Sequence, residues 1–321
     1  MTVSTSPSAP LVVIVGITGN QGGSVATALI ESDKPYRLRG LTRDVSRPAA
    51  QAYAAKGVEL VSVAISVGNE DGVKKAFEGA EIVFAVTNFE EHISAEREIA
   101  EGKLMVDAAA SIPTLKLFIW SALESFAELT SGQVAGCAFF DAKAAVTAHA
   151  KSIPNFPLSV VQAGYYATNI FKSVPFALRP DGSGGYTFSL PLSGSATVPL
   201  FDTAHDYGLY VRAAIELPQF GAGSEVLSGT HISYDDIIKE LAAVTGKKIV
   251  FKPSTQPEFR AVFPFKPMAD MVGEMFRGYD SCGYYGPKPV TSPDLLARKP
   301  RTWREYLDVL GKEEVLKRLG I

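Results

Sequence analysis

VIVGITGNQGG, Val13–Gly23, sets four glycines in eleven residues directly behind an apolar run. The stretch SVATALIES that follows, 24–32, has the periodicity of an amphipathic helix. A strand, then Gly16, Gly19 and Gly22, then a helix is the order a dinucleotide site requires. The first glycine permits the tight turn, the middle one lets backbone N–H groups approach a pyrophosphate, and the last lets the helix pack close to the sheet with its positive end on the phosphates. The spacing here is GxxGxxG, which a plain turn between a strand and a helix also satisfies. The surrounding chain decides between the two.

Outward from this loop, short β-branched runs alternate with helical stretches at the pace of βαβ units. The strand candidates are LVVIV at 11, YRLRGLT at 36, VELVSV at 58, EIVFAV at 81, LKLFIW at 115 and LSVVQ at 158. Such near-continuous apolar runs suit strands covered on both faces of a parallel sheet. The expected fold is α/β: a Rossmann-like doubly wound parallel sheet over 11–178, with a smaller mixed α/β C-terminal domain over 179–321. Segments of the latter are free to return to the sheet. After about residue 178 the texture turns to Gly, Ser and Pro, read as hairpins and loops. SYDDIIKELAAVTGKK, MADMVGEMFRGY and TWREYLDVLGKEEVLKRLG then read as helices, the first with Ser233 as N-cap.

The 321 residues are 46% hydrophobic and 20% charged, enough for a sizeable core. A net charge of -3 and a pI near 5.9 supply no field to attract a phosphate backbone, so direct nucleic-acid binding is not expected. Residues 1–10 carry no basic or apolar core and are expected to be a disordered tail rather than a targeting segment. No apolar run reaches the roughly 20 residues that span a bilayer, so no membrane partner is expected. Cys137 and Cys282 form no metal or redox spacing, which fits a reducing, cytoplasmic setting. His92, His149, His205 and His231 form no ligand grouping, so no metal is expected. DTAHD around His205 reads as a capped helix start. No GxSxG elbow or Walker loop appears.

About 20 positions past Gly22, where an NAD site carries a carboxylate for the ribose, stand Thr42 and Arg43. A guanidinium there binds a 2′-phosphate through charge-assisted hydrogen bonds. NADP(H) is therefore the expected cofactor, with Arg43 as anchor and Arg47 as a second cation, although Asp44 beside them opposes it.

VGITGNQGGSVA, LTRDVSR, FAVTNFEE followed by EGKLMVDAAA, FDAKAAV and GYYATNIF, together with PDGSGGYTFSLPLSG and DTAHDYG, resemble the NmrA-like family of atypical short-chain dehydrogenases and, within it, the HSCARG-type NADP(H)-sensing branch. The resemblance implies that Gly16, Thr18, Gly19, Asn20, Gln21 and Gly22 wrap the pyrophosphate and that Arg43 takes the 2′-phosphate. It implies that Thr87, Asn88 and Phe89 meet the central part of the cofactor, and that Tyr165, Tyr166 and Asn169 lie near the nicotinamide. VAISVG, 63–68, departs from the Gly-Asp often found beside adenine.

Short-chain dehydrogenases use a Tyr-x-x-x-Lys pair, the Lys one turn after the Tyr on the same helix face. FFDAKAAV supplies Lys143 but puts Phe139 at the Tyr position. Lys143 is accordingly expected to bind the nicotinamide ribose, and it is a catalytic candidate beside Ser121, at the end of the fifth strand, and Tyr166. Met268, Met271 and Met275, with Val272 and Phe276, read first as a core stripe and second as an adaptable wall of a pocket or partner groove. ESFAELTSGQVAGCAFF, 124–140, reads as a mobile flap.

Two functions stay open. One is an NADPH-dependent oxidoreductase, a reductase of a small carbonyl or conjugated compound. The other is a non-catalytic NADP(H) redox sensor that regulates a transcription factor or other protein partner, which would extend its location to the nucleus. The first is favoured because the cofactor machinery is more legible than a partner surface. A homodimer is left open.

Overall fold

The computed structural model describes residues 3–172 and 177–321. Strands β1 (Leu11–Val15), β2 (Arg37–Thr42), β3 (Glu59–Ser62), β4 (Ile82–Ala85), β5 (Leu117–Ala122) and β6 (Leu158–Gln162) coincide with the expected apolar runs. The chain continues through β7 (Tyr165–Tyr166), β8 (Arg179–Pro180), β9 (Tyr186–Phe188), β10 (Thr197–Phe201), β11 (Glu225–Leu227), β12 (Thr230–Ser233) and β13 (Ile249–Phe251). Helices α1 (Asn20–Ile30), α2 (Pro48–Ala54), α3 (Glu70–Phe77), α4 (Phe89–His92), α5 (Ala95–Ala110), α6 (Phe126–Leu129) and α7 (Ala138–Ser152) alternate with the early strands. Later come α8 (Thr203–Glu216), α9 (Tyr234–Thr245), α10 (Gln256–Val262), α11 (Lys266–Cys282), α12 (Trp303–Leu310) and α13 (Lys312–Leu319).

The main sheet has the order β11-β6-β5-β4-β1-β2-β3, and every neighbouring pair is parallel. This is the Rossmann-like doubly wound arrangement, and its strand order reverses between β1 and β4. A crevice opens at the carboxyl ends of those two strands, where such sheets bind ligands. Strand β11, drawn from the later part of the chain, completes the sheet, and α8 packs against α1 beneath it. Two small sheets, β12-β10-β7 and β13-β9-β8, carry the C-terminal half, whose aromatic core centres on Tyr165, Tyr234, Phe276 and Tyr279.

Two expectations are corrected. Residues 3–10 do not form a loose tail. The Ser4 N–H donates to the Tyr36 carbonyl at 2.8 Å, Arg37 Nε to the Ala9 carbonyl at 2.9 Å, and Ala9 is buried, so the chain entering β2 holds them down. Met1 and Thr2 lie outside the described residues. The 124–140 segment is likewise no free flap, because Phe126, Val134, Cys137 and Phe140 are all buried, with Phe126 stacked on Phe140 at 4.6 Å.

The contact between α1 and α8 leaves no room for a side chain. A Cβ on Gly208 would lie 2.0 Å from the Ser24 carbonyl oxygen, and the Gly208 N–H already donates to Ser24 Oγ at 2.9 Å. Gly208→Ala is therefore expected to cost about 2 kcal/mol through overpacking, read as a lowered urea midpoint. An unchanged midpoint would contradict this packing.

Candidate active site

The GxxGxxG loop turns at Gly16, whose φ of +67° lies in the left-handed region that favours glycine. A Cβ on Gly22 would fall 2.3 Å from the Gly16 carbonyl oxygen, so only glycine lets α1 start this close to the strand. Gly19 at the N-cap offers no capping side chain, and the first turn of α1 holds no acid. Its leading N–H groups thus face the crevice without helical partners, the arrangement that receives an anion.

These elements form one wall of a cavity of about 590 Å³. Gly16, Thr18, Gly19, Asn20, Gln21 and Gly22 line it, as do Arg43, Thr87, Asn88, Lys143 and Tyr166. Arg43 stands at its far end, 68% exposed, with Nη1 2.5 Å from Glu91 Oε1. Where a Gly-Asp pair was missing from the sequence, Val63, Ala64, Ile65 and Ser66 supply a largely apolar wall. The cavity, the glycine cradle at the start of α1 and the exposed Arg43 guanidinium at the end of β2 fit a dinucleotide phosphorylated on its ribose, and Arg97, half exposed, lines the same cavity.

A second cavity of about 390 Å³ meets the first, and Gln21, Lys143 and Tyr166 line both. Its walls are Phe89, Leu123, Phe139, Phe140, Tyr165, Tyr279 and Tyr284, closed by Met268, Met271, Val272 and Met275 of α11. The methionines therefore face a cavity rather than forming only core, a correction that follows from helix phase, since Phe276 one position on is fully buried. Asn169 and Lys172 add polar groups, and Asn169 Oδ1 is buried without a hydrogen-bond partner.

At the junction Lys143 is nearly enclosed. Its Nζ donates to Thr87 Oγ1 at 2.8 Å and to Glu98 Oε1 at 2.9 Å, and it lies 5.5 Å from the Trp120 ring centre. Tyr166 accepts from Gln21 Nε2 at 2.5 Å. Burial pushes the Tyr166 phenol up to about 12 against the opposing effect of the Gln21 bond, so the group stays protonated. Phe139, at the place of the usual Tyr, packs on Phe89 and Phe140 and brings no proton.

A model of the NmrA-like family matches residues 8–307. The chain belongs to the NmrA-like family. One relative, the NmrA-like family domain-containing oxidoreductase lnaB of Aspergillus flavus, is 30% identical over 263 residues, 77% of each chain. Among solved structures, NmrA, a negative transcriptional regulator, in complex with NADP superposes with a TM-score of 0.70 at 19% identity, covering 97% of this chain and 91% of that one. The NADPH-dependent quinone oxidoreductase of Escherichia coli, complexed with NADPH, gives 0.74 at 19% identity, covering 93% and 99%.

Two of the candidate residues in this NmrA-like chain are not brought to the site. Ser121 is fully buried and lines neither cavity; strand alternation turns Trp120 toward Lys143 and Ser121 to the opposite face, under Tyr207. Arg47 sits 3.6 Å from Asp44 at the start of α2, outside the first cavity. Phe89, Tyr165 and Asn169 line the second cavity rather than the first. Glu98, Glu91 and Tyr284 were missed. Glu98 had a readable signal, since it shares with Glu101, Gly102, Met105 and Ala109 the spacing of one helix face, the buried one.

Burial also raises Tyr165, Tyr279 and Tyr284 above the usual phenol range. Unfolded phenols ionise near pH 10 while these keep their protons, so the folded state binds more protons there and stability falls as pH rises. The urea midpoint is expected to drop between about pH 9 and 11, with tyrosinate absorbance from these residues appearing only on unfolding. Their ionisation in the folded state below pH 10 would contradict the burial.

Proposed function

We propose that this chain is an NADPH-dependent reductase of a small carbonyl or conjugated compound. The observation that carries the reading is the meeting of a dinucleotide-shaped cavity with a separate apolar one at Lys143. That the curated relatives are oxidoreductases supports it.

In this reading the α1 N-terminus binds the pyrophosphate and Arg43 the 2′-phosphate. The exposed Arg43–Glu91 pair is worth less than about 1 kcal/mol, so a phosphate dianion displaces Glu91 readily. Thr87 and Lys143 orient the nicotinamide end. Bound there, reduced nicotinamide supplies a hydride to the carbon it faces. The aromatic and methionine walls hold the acceptor's apolar body and exclude water, and Asn169 offers it an amide. As the carbonyl π pair moves to oxygen, the Lys143 ammonium gives that oxygen a proton and afterwards takes one from solvent through the first cavity. Tyr166, protonated and adjacent, is the second donor within reach. Phe139 makes the proton source differ from that of ordinary short-chain dehydrogenases.

Phe139 also favours the second reading, a sensor that binds NADP(H) without turnover and signals to a protein partner. The two separate in one assay, NADPH oxidation against aldehydes, ketones and enones with bulky apolar groups. Turnover that falls about 100-fold in Lys143→Ala is expected. Silence across the panel, with both redox forms bound and only one of them changing association with a partner, would overturn the reductase in favour of the sensor. Arg43→Ala is expected to weaken NADPH binding about 10- to 100-fold and leave NADH binding unchanged. Equal loss for both would remove Arg43 from the 2′-phosphate.

A further inference from the structure

We infer that Glu98 is a positioning residue for Lys143, holding its ammonium aimed at the junction of the two cavities; this rests on the reductase reading. Glu98 lies in the first turn of α5, and its side chain is 2% exposed. A carboxylate so buried demands partners. Oε1 takes both that the site offers, the Thr87 hydroxyl at 2.6 Å and Lys143 Nζ at 2.9 Å, while Oε2 is buried with none. A lysine stem has four rotatable bonds and would otherwise sample the cavity. Here three elements fix its head: Glu98 of α5, the Thr87 hydroxyl and carbonyl after β4, and the Trp120 ring of β5.

Nothing else near Lys143 does the same work. Tyr166 lines the junction, but its phenol is protonated and bound to Gln21. Glu101, on the first cavity's wall, is engaged by Arg97 Nε at 3.0 Å and lies 3.4 Å from His92 Nε2. Glu91 faces Arg43. Glu98 is thus the carboxylate facing this ammonium among the described residues. A charge-assisted bond at that distance holds the ammonium more firmly than a neutral acceptor would. The bond to Thr87 ties the same carboxylate to the loop that also lines the first cavity, so the ammonium is aimed relative to that loop.

The test compares the wild type with Glu98→Gln, which keeps shape and the acceptor oxygen but removes the charge, and with Glu98→Asp, which keeps the charge on a shorter stem. In the protein without cofactor, acetic anhydride labelling of Lys143 at one fixed pH, read by mass spectrometry against the exposed lysines, is expected to run severalfold faster in Glu98→Gln, whose amide holds the ammonium less firmly, and close to the wild-type rate in Glu98→Asp. With NADPH, kcat of Glu98→Gln is expected to fall on the order of tenfold with KM for NADPH changing little. Should Glu98→Gln fail to fold, Glu98→Asp still decides, by a kcat loss with KM for NADPH unchanged. Labelling and kcat profiles equal to wild type in either folded variant would overturn the inference and leave Glu98 a structural tie between α5 and α7. Absence of turnover in the wild type would overturn the reductase reading instead, and the labelling arm would still decide for Glu98.

Discussion

Helix α1 is clamped between two backbone contacts that admit no side chain. At its start Gly22 stands where a Cβ would meet the Gly16 carbonyl oxygen at 2.3 Å, and at its middle Ser24 lies where a Cβ on Gly208 would intrude at 2.0 Å. Both contacts are sub-van-der-Waals for anything but glycine, so they fix the helix axially as well as laterally. The consequence is electrostatic. The partial positive charge at the N-terminus of α1 is held at one point above the ends of β1 and β4, and the crevice is built outward from it. Arg43, Lys143 and the apolar wall of Val63–Ser66 then occupy the remaining ends of a single elongated cavity.

The second cavity depends on the first at one place. Lys143 belongs to α7, whose face also carries Phe139 and Phe140, and those rings lean on the aromatic core of the later half. The fold therefore joins the crevice of the sheet to an apolar cavity in the later half, and the lysine stands where polar and apolar surfaces meet. Phe139 removes the usual phenol from this point. What stays is an ammonium enclosed by a hydroxyl, a carboxylate and an indole.

Much of this was legible in the sequence where a physical rule ties position to role. Six strands follow from their near-continuous apolar runs, and the glycines and Arg43 from the spacing a βαβ unit imposes. Elsewhere the rule needed a phase that the sequence does not state. Ser121 ends a buried strand, and only the observed alternation shows that Trp120, not Ser121, looks toward Lys143. Met268, Met271 and Met275 have the same period whether they face core or cavity. Glu98 sat among Glu90, Glu91, Glu96 and Glu101 in a polar stretch, and its burial becomes visible only by following one helix face. Arg47 was settled by Asp44, a local neighbour three residues away, whereas residues 3–10 were settled by contacts with Tyr36 and Arg37 that no local pattern announces.

The sharpest measurement is a crystal structure with NADP+ bound. The pyrophosphate is expected on the first turn of α1 and the 2′-phosphate on Arg43 in place of Glu91. The nicotinamide is expected beside Lys143, with its reactive carbon opening into the cavity walled by Phe139, Tyr165 and the α11 methionines. A nicotinamide that faces bulk solvent, or lies away from Lys143 with the apolar cavity sealed from it, would contradict the joining of the two cavities on which the proposed chemistry stands.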